Sequence, residues 1–434
     1  MDKISRYLLL VFIIIIFIIL APLIVIYVSG KNIELGDRLT KDTGIIDIQS
    51  TPSDAEVYID STKNNNTPTT VRFVKQGIHT IEIRKTGFRP WHKSLYIEAG
   101  KVSYAGSLSN EVKLLLDKPP LLLDNNPIES YVLLGDRVVF HTSDTLIKYD
   151  LSEQRIIQQI QLPVTISKLT LTNTDNYLLA TAKNGRYVLI TTEDLKLTNL
   201  PDALASGVTN IELGPKDAIF AIKDKALLVS SGASTPTTPL LENVLAFTLH
   251  DNIMYIASQV TDTFRIDTYL WDGNNLTLQN NLITQNLGLG KQYKLWLTFQ
   301  KELFLWNDGN FYRVNQSLDL LNKGVTNISL DKPHRQLTYQ TPSEIYYYNF
   351  VSGKAELFYR TTGNSESSLV IPNTGYGFLA SKNGLEAIEI DNRNGQNHYL
   401  LLADQPVSDI TITNDEQSIL FLNNNKLYQI QISQ

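Results

Sequence analysis

The feature that most limits what this chain can fold into is a pattern repeated over its last three quarters. From Glu111 onward one grammar recurs: an apolar-alternating strand, a tight turn holding Asp, Asn or Pro, a second apolar strand, a polar turn and a third strand. It is read in ISKLTLTNTDNYLLATAKNGRYVLI, VTNIELGPKDAIFAIKDKALLVSS, VTNISLDKPHRQLTYQTPSEIYYYNF and VSDITITNDEQSILFLNNNKLYQIQI. Aligned on the first strand, the units begin near Tyr131, Ile166, Val208, Val244, Tyr293, Val325, Ser368 and Val407, about 39 residues apart. That period is close to the roughly 40–45 residues of a four-stranded propeller blade, a unit that buries its apolar faces only against its neighbours. The expectation is a ring of eight blades, or of seven if Leu282–Gln300 is one irregular connection. The 35 asparagines fit such a chain, since Asn tolerates the left-handed backbone of turns.

A ring must close. The last unit supplies strands near Ile410, Ile419 and Leu427, and then the sequence stops. An unpaired sheet edge is a liability. One of two spare apolar runs upstream, Val112–Leu116 or Leu121–Leu123, is therefore expected to complete the last blade. The layout resembles bacterial WD-like and TolB-type propellers, although Trp271-Asp272 occurs only once and no Trp-Asp signature repeats.

Ahead of the repeats, residues 44–110 alternate in short apolar runs: Ile46 and Ile48, Val57 and Ile59, Val71 and Phe73, Ile78 with Ile81 and Ile83, and Leu95 with Ile97. Turn formers separate them at Thr51-Pro52-Ser53-Asp54, Asn64–Pro68 and Thr86-Gly87. Period-two runs between such turns are strands, and about six of them make a small β-sandwich. The order Thr51-Pro52, Ala55, Val57-Tyr58-Ile59-Asp60, Thr67-Pro68, Gly77-x-His79, Lys85-x-Gly87-Phe88 and Trp91 resembles the PEGA domain of bacterial surface proteins. Ser61 stands where that pattern has glycine, and an Asn-rich insert follows it. The resemblance implies an extracytoplasmic β module for surface attachment or protein contact, without catalytic activity. Trp91 and His92 are the candidate partner-binding residues, because an aromatic can stack on the apolar face of a sugar. The other reading of Trp91 is that it covers the sandwich core.

Residues 1–6 are expected to be a cytoplasmic stub, and the chain then runs from Tyr7 to Val28 for 22 residues without a charge. As a helix this stretch is roughly 33 Å long, enough to cross a bilayer core of about 30 Å. It is longer than the apolar region of a cleaved signal peptide, and Val28-Ser29-Gly30 is a poor cleavage site. Lys3 and Arg6 precede it while Lys31, Arg38 and Lys41 follow, so basic flanks do not set the orientation. The short stub is expected inside and the body outside, on a linker at 29–43.

The search for chemistry excludes more than it finds. With no cysteine, disulfides, thiolate metal sites and cysteine nucleophiles are ruled out. A net charge of −6 gives no footprint for nucleic acid. His79, His92, His141, His250, His334 and His398 are scattered, with none at metal-ligand spacing. Asp391-Asn392-Arg393-Asn394-Gly395 has the outline of a calcium loop, but Arg393 takes an oxygen-ligand position and no bidentate Glu follows, which leaves a turn. No catalytic residue, metal site or cofactor is assigned.

The expected architecture is all-β: a transmembrane helix at 7–28, a PEGA-like sandwich at 44–110 and a β-propeller at 111–434. The expected role is a single-pass, membrane-anchored extracytoplasmic binding or scaffold protein. It would contact the lipid bilayer through residues 7–28 and an envelope protein or neutral glycan through loops such as Ser231–Pro239, Gln259–Thr263, Thr284–Lys291 and Thr361–Ser367. The alternative is a propeller-based envelope hydrolase or lyase whose dispersed residues converge at the channel.

Overall fold

The computed structural model describes residues 3–28, 31–32, 41–106, 110–231, 238–286, 290–331, 336–362 and 365–433. The repeats form eight four-stranded antiparallel sheets. Seven are continuous in sequence, at 130–161, 166–199, 211–241, 244–285, 293–322, 327–360 and 365–403, and are numbered here blades 1 to 7. Blade 8 takes three strands from the end of the chain, Val407–Ile412, Ser418–Asn423 and Lys426–Gln431. Every inner strand starts within three residues of the position read from the repeat, because the apolar alternation that defines it is set by burial between blades. The stretch around Leu282–Gln300 resolves into a ten-residue outer strand, Leu276–Gln285, and the next inner strand, Tyr293–Leu297, which gives eight blades and not seven. Asn and Asp hold most of the non-glycine left-handed positions, among them Asp224, Asp251, Asp308, Asn424 and Asn425 at hairpin turns and Asn243 between blades 3 and 4.

The fourth strand of blade 8 is Leu121–Leu122, pairing with Gln429 and Tyr428 of the third strand. Leu123 N extends the ladder to Leu427 O at 2.9 Å, and Ile128 N reaches Asn425 O at 2.7 Å. Of the two upstream runs, the second therefore closes the ring. Hydrophobic clusters bridge each consecutive pair of blades, and one joins Tyr131, Val138 and Phe140 of blade 1 to Leu420, Leu422 and Leu427 of blade 8. Polar staples recur at the same seams. Ser130 Oγ accepts from Leu169 N at 2.8 Å, Asn173 exchanges bonds with both backbone groups of Leu213, and Asn210 Nδ2 donates to Phe247 O at 2.7 Å. Each satisfies inner-strand backbone that the next blade would otherwise leave unpaired.

The sandwich has two sheets. In one, Lys41–Thr51 pairs with Thr69–Lys75, Val102–Tyr104 and Glu111–Lys113; the other runs Thr62–Lys63, Glu56–Ile59, Gly77–Arg84, Trp91–Ile97. Ile46, Ile48, Val57, Ile81, Ile83 and Ile97 are fully buried between them, as their alternation requires. The boundary expected at 110 falls short. Glu111–Lys113 is a parallel strand on Gln49–Thr51, and Val112, Leu114 and Leu116 lie in the sandwich core. The apolar run 112–116 thus finishes the sandwich, because its alternate residues fill that core before the chain crosses to the ring.

The N-terminal helix spans Lys3–Val28, with Pro22 inside it. Its side chains are described at 9–22, 24 and 25; those from Leu9 to Leu20 are all exposed and apolar. Among the described residues, no helix is long and apolar enough to cross a membrane.

Candidate interaction surface

In an antiparallel four-stranded blade the first and third turns lie at one end, and the second turn and the connection to the next blade lie at the other. Blade 7 carries the sandwich at the first of these ends. The groups involved are Tyr376 at the start of its second strand, Glu389 at the end of its third and the turn 390–397 after it. The end bearing the sandwich is called the sandwich face, the other the far face.

The junction is built on an edge strand. Trp91–Ile97 is the last strand of its sheet, and the third turn of blade 7 covers its open side. Trp91 Nε1 donates to Glu389 Oε1 at 2.8 Å. Lys93 Nζ lies 2.9 Å from Glu389 Oε2 and 3.2 Å from Asp391 Oδ2, and donates to Asp391 O at 2.7 Å. Arg393 grips Asp391 with Nε at 3.0 Å and Nη2 at 2.8 Å, while Nη2 also donates to Ala105 O at 2.9 Å. Asn397 Nδ2 donates to Glu389 Oε2 at 2.8 Å. Two further bonds cross from blade 7, Tyr399 OH to Pro90 O at 3.1 Å and Tyr376 OH to Lys113 O at 2.8 Å. Arg89 Nη1 returns one to Leu400 O at 2.7 Å.

Lys93 has 2% of its side chain exposed, and both carboxylates are buried. Two cations face two anions, so the charges balance without solvent. Burial by itself would raise the Asp391 carboxyl, but the bonds from Arg393 and the charge of Lys93 outweigh it and hold the group below its usual range. Burial pushes the Tyr376 and Tyr399 hydroxyls well above theirs, so both stay neutral donors. The turn 391–395, with Glu389, therefore clamps the sandwich through a charge-balanced cluster. Arg393 occupies the carboxylate oxygens a calcium ion would need.

The two residues singled out in the sequence separate. Trp91 is buried, both in the sandwich core and against Glu389, so what it meets is this chain's own blade 7. His92 points to the opposite side of the same strand and is exposed beside Glu82. Sequence reasoning missed Lys93, Glu389, Asp391 and Arg393 as a group. One signal was present: Lys93 stands in the inward series Trp91, Lys93, Leu95, Ile97, and a cation at an apolar position of an alternating strand needs a buried partner.

Beside blade 7 the sandwich face exposes an apolar tip. Phe299, in the first turn of blade 5, packs edge-on against Phe350 in the third turn of blade 6, with centroids 5.1 Å apart. Val351 follows Phe350 and is 98% exposed. Phe350 in turn packs on the buried Tyr348, which fixes the tip to the core of the ring. The loops read from sequence differ from this. Gln259–Thr263 is a two-residue hairpin on the far face, since pairing runs out to Val260 and Thr263. Thr284–Lys291 and Thr361–Ser367 lie at far-face connections, with 287–289 and 363–364 outside the described residues; in Ser231–Pro239, 232–237 are outside them. Strand pairing has shortened the long loops that polarity suggested. Among the described residues, no three His, Asp or Glu side chains come together as a metal site would require.

Residues 43–108 match the model of the PEGA domain. No curated protein matches the chain in sequence. Among solved structures, the C-terminal WD40 domain of Sif2 is similar over 73% of this chain and 99% of its own, at 11% identity and a TM-score of 0.50. A eukaryotic initiation factor (11% identity, 75% of this chain and 95% of that one, TM-score 0.45) and the computationally designed Ika8 protein (11%, 71% and 97%, 0.45) are also similar. The chain thus joins a PEGA domain at 43–108 to an eight-bladed propeller with the fold of the WD40 rings.

Proposed function

We propose that this protein is a membrane-anchored, extracytoplasmic scaffold that works by protein contact and needs no cofactor. The observation that carries the reading is the apolar tip of Phe299, Phe350 and Val351, held on a rigid core beside the blade that bears the sandwich. An exposed aromatic and aliphatic cluster on a stiff ring suits an anchor residue for a protein partner. A photo-crosslinker at Val351 should give a discrete protein adduct in envelopes of the producing cell, whereas one at Asp262, on the far-face hairpin, should give none. Equal labelling at both positions, or none at 351, rejects the tip as the contact.

The anchor reading rests on the 22 uncharged residues from Tyr7 to Val28 and on the apolar side chains that surround the described part of the helix. A helix that is apolar on all sides suits a bilayer better than water. Protease added to intact cells should then remove the body after residue 29. Protection of the body until lysis would reverse the orientation.

A further inference from the structure

The sandwich has two ends with different surroundings. Contacts with blade 7 involve Arg89, Pro90, Trp91, Lys93 and the 104–116 segment. The other end of the same strands, about 20 Å along Trp91–Ile97, is where Gly77 pairs with Ile97 and Val102 with Ile45. This is also where the chain enters from the helix. Lys31 and Asn32 pair with Asp42 and Lys41, Gln76 N donates to Asp42 O, and Gly100 N donates to Thr43 O. Lys31 lies three residues after Val28, so the helix end is at most about 11 Å away from it.

That end exposes large apolar side chains. Ile78 is 70% exposed, its cross-strand partner Tyr96 is 55% exposed, and Val102 is 47% exposed. Gln76 Nε2 donates to Tyr96 OH at 2.9 Å and fixes the ring on the surface. Lys75 and Lys101 are exposed beside them, Lys101 paired with Glu98 at 2.9 Å. Tyrosine, aliphatic and lysine side chains together are what the head-group layer of a bilayer accepts: the ring sits at the interface, the branched chains dip below it, and ammonium groups meet phosphates.

We propose that this end of the sandwich, through Ile78, Tyr96 and Val102, rests in the head-group layer of the bilayer that holds the helix. The inference rests on the anchor reading and adds a second contact to it. A chain held by helix and sandwich together cannot pivot freely on its linker, and because the sandwich is clamped to blade 7, the ring is held at a fixed attitude to the membrane.

The absence of cysteine makes the test direct. The full chain carrying Ile78→Cys, and separately Asp262→Cys, is labelled with an environment-sensitive fluorophore. Each is reconstituted in phosphatidylcholine–phosphatidylglycerol vesicles after its melting curve has been matched to the parent. The expected result is a blue-shifted label at 78, quenched by spin-labelled lipid and about fivefold less accessible to iodide than the label at 262, as burial of a few ångströms in the interface requires. Protein that floats with the vesicles but has equal iodide quenching at both sites overturns the sandwich contact and leaves the anchor standing. Protein that does not float overturns the anchor and this inference with it.

Discussion

Replacing Lys93 by Ala should loosen the sandwich from the propeller and lower the stability of the junction by about 3–5 kcal/mol, the range for removing one partner of a buried pair. The ammonium is the only cation placed between Glu389 and Asp391, at 2.9 Å and 3.2 Å, among the described contacts of that cluster. Without it Glu389 keeps bonds from Trp91 and Asn397 but no opposite charge, and the two carboxylates repel. Lys93→Met tests the same loss with the volume retained. Adding Glu389→Gln to Lys93→Met should recover much of the deficit, because the neutral amide still accepts from Trp91 and no uncompensated anion remains; the cycle of single and double variants measures the coupling. A denaturation midpoint for Lys93→Ala within error of the parent would sink this account. Acid should act on the same joint. The Asp391 carboxyl is held below its usual value in the folded chain. Its contribution is therefore complete above the unfolded value of about 3.9 and is lost as pH falls through the lower folded value. Asp391→Asn should flatten the stability profile in that acid range and leave it unchanged near neutrality apart from a constant offset.

The sequence made the ring and the sandwich legible because both are governed by local alternation. Each blade repeats one pattern of buried side chains, so positions such as Ile166, Val244, Tyr293 and Val407 marked inner strands with no knowledge of their neighbours. The ring closure was legible for another reason: a missing strand at one terminus and a spare apolar run near the other imply each other. The junction was not legible, since Lys93 and Glu389 lie almost 300 residues apart and meet only because the ring brings blade 7 to the edge strand. The apolar tip was hidden as well. Phe299 and Phe350 lie in turns about 50 residues apart in sequence, and only the packing of adjacent blades sets them side by side on one face. The extent of strand pairing inside polar segments was not legible either, because composition does not show it; Val260 and Thr263 still pair with each other at the very tip of their hairpin.

Deleting 119–124 should open the ring, with a loss of about 4–5 kcal/mol, at the upper end for a local change. The segment is short, but it is the outer strand of blade 8, and the first three strands of that blade come from the opposite end of the sequence. Its removal exposes the edge of Lys426–Gln431, strips Leu123 from the cluster around Tyr131 and Leu427, and takes from the Leu427 carbonyl its bond to Leu123 N. It also cuts the path from the sandwich into blade 1, so a deletion alone would mix two effects. A covalent staple separates them. Leu121 and Gln429 are directly opposed in the ladder, and neither is in the core. Opposed antiparallel residues lie about 4.5–5.5 Å apart, within the span of a disulfide. In a chain without cysteine, the Leu121→Cys, Gln429→Cys pair can form only one bridge, and it closes a loop of some 300 residues. If pairing at this seam holds the ring shut, the oxidised variant should gain about 2–4 kcal/mol over its reduced form, by removing open states from the unfolded ensemble. The gain should appear as a higher midpoint in one cooperative transition that includes blades far from the seam, read by hydrogen exchange at Phe247 and Phe304. Stabilisation confined to blades 8 and 1, or none on oxidation, would mean that the ring is held by its inter-blade clusters and not by the strand that joins its two ends.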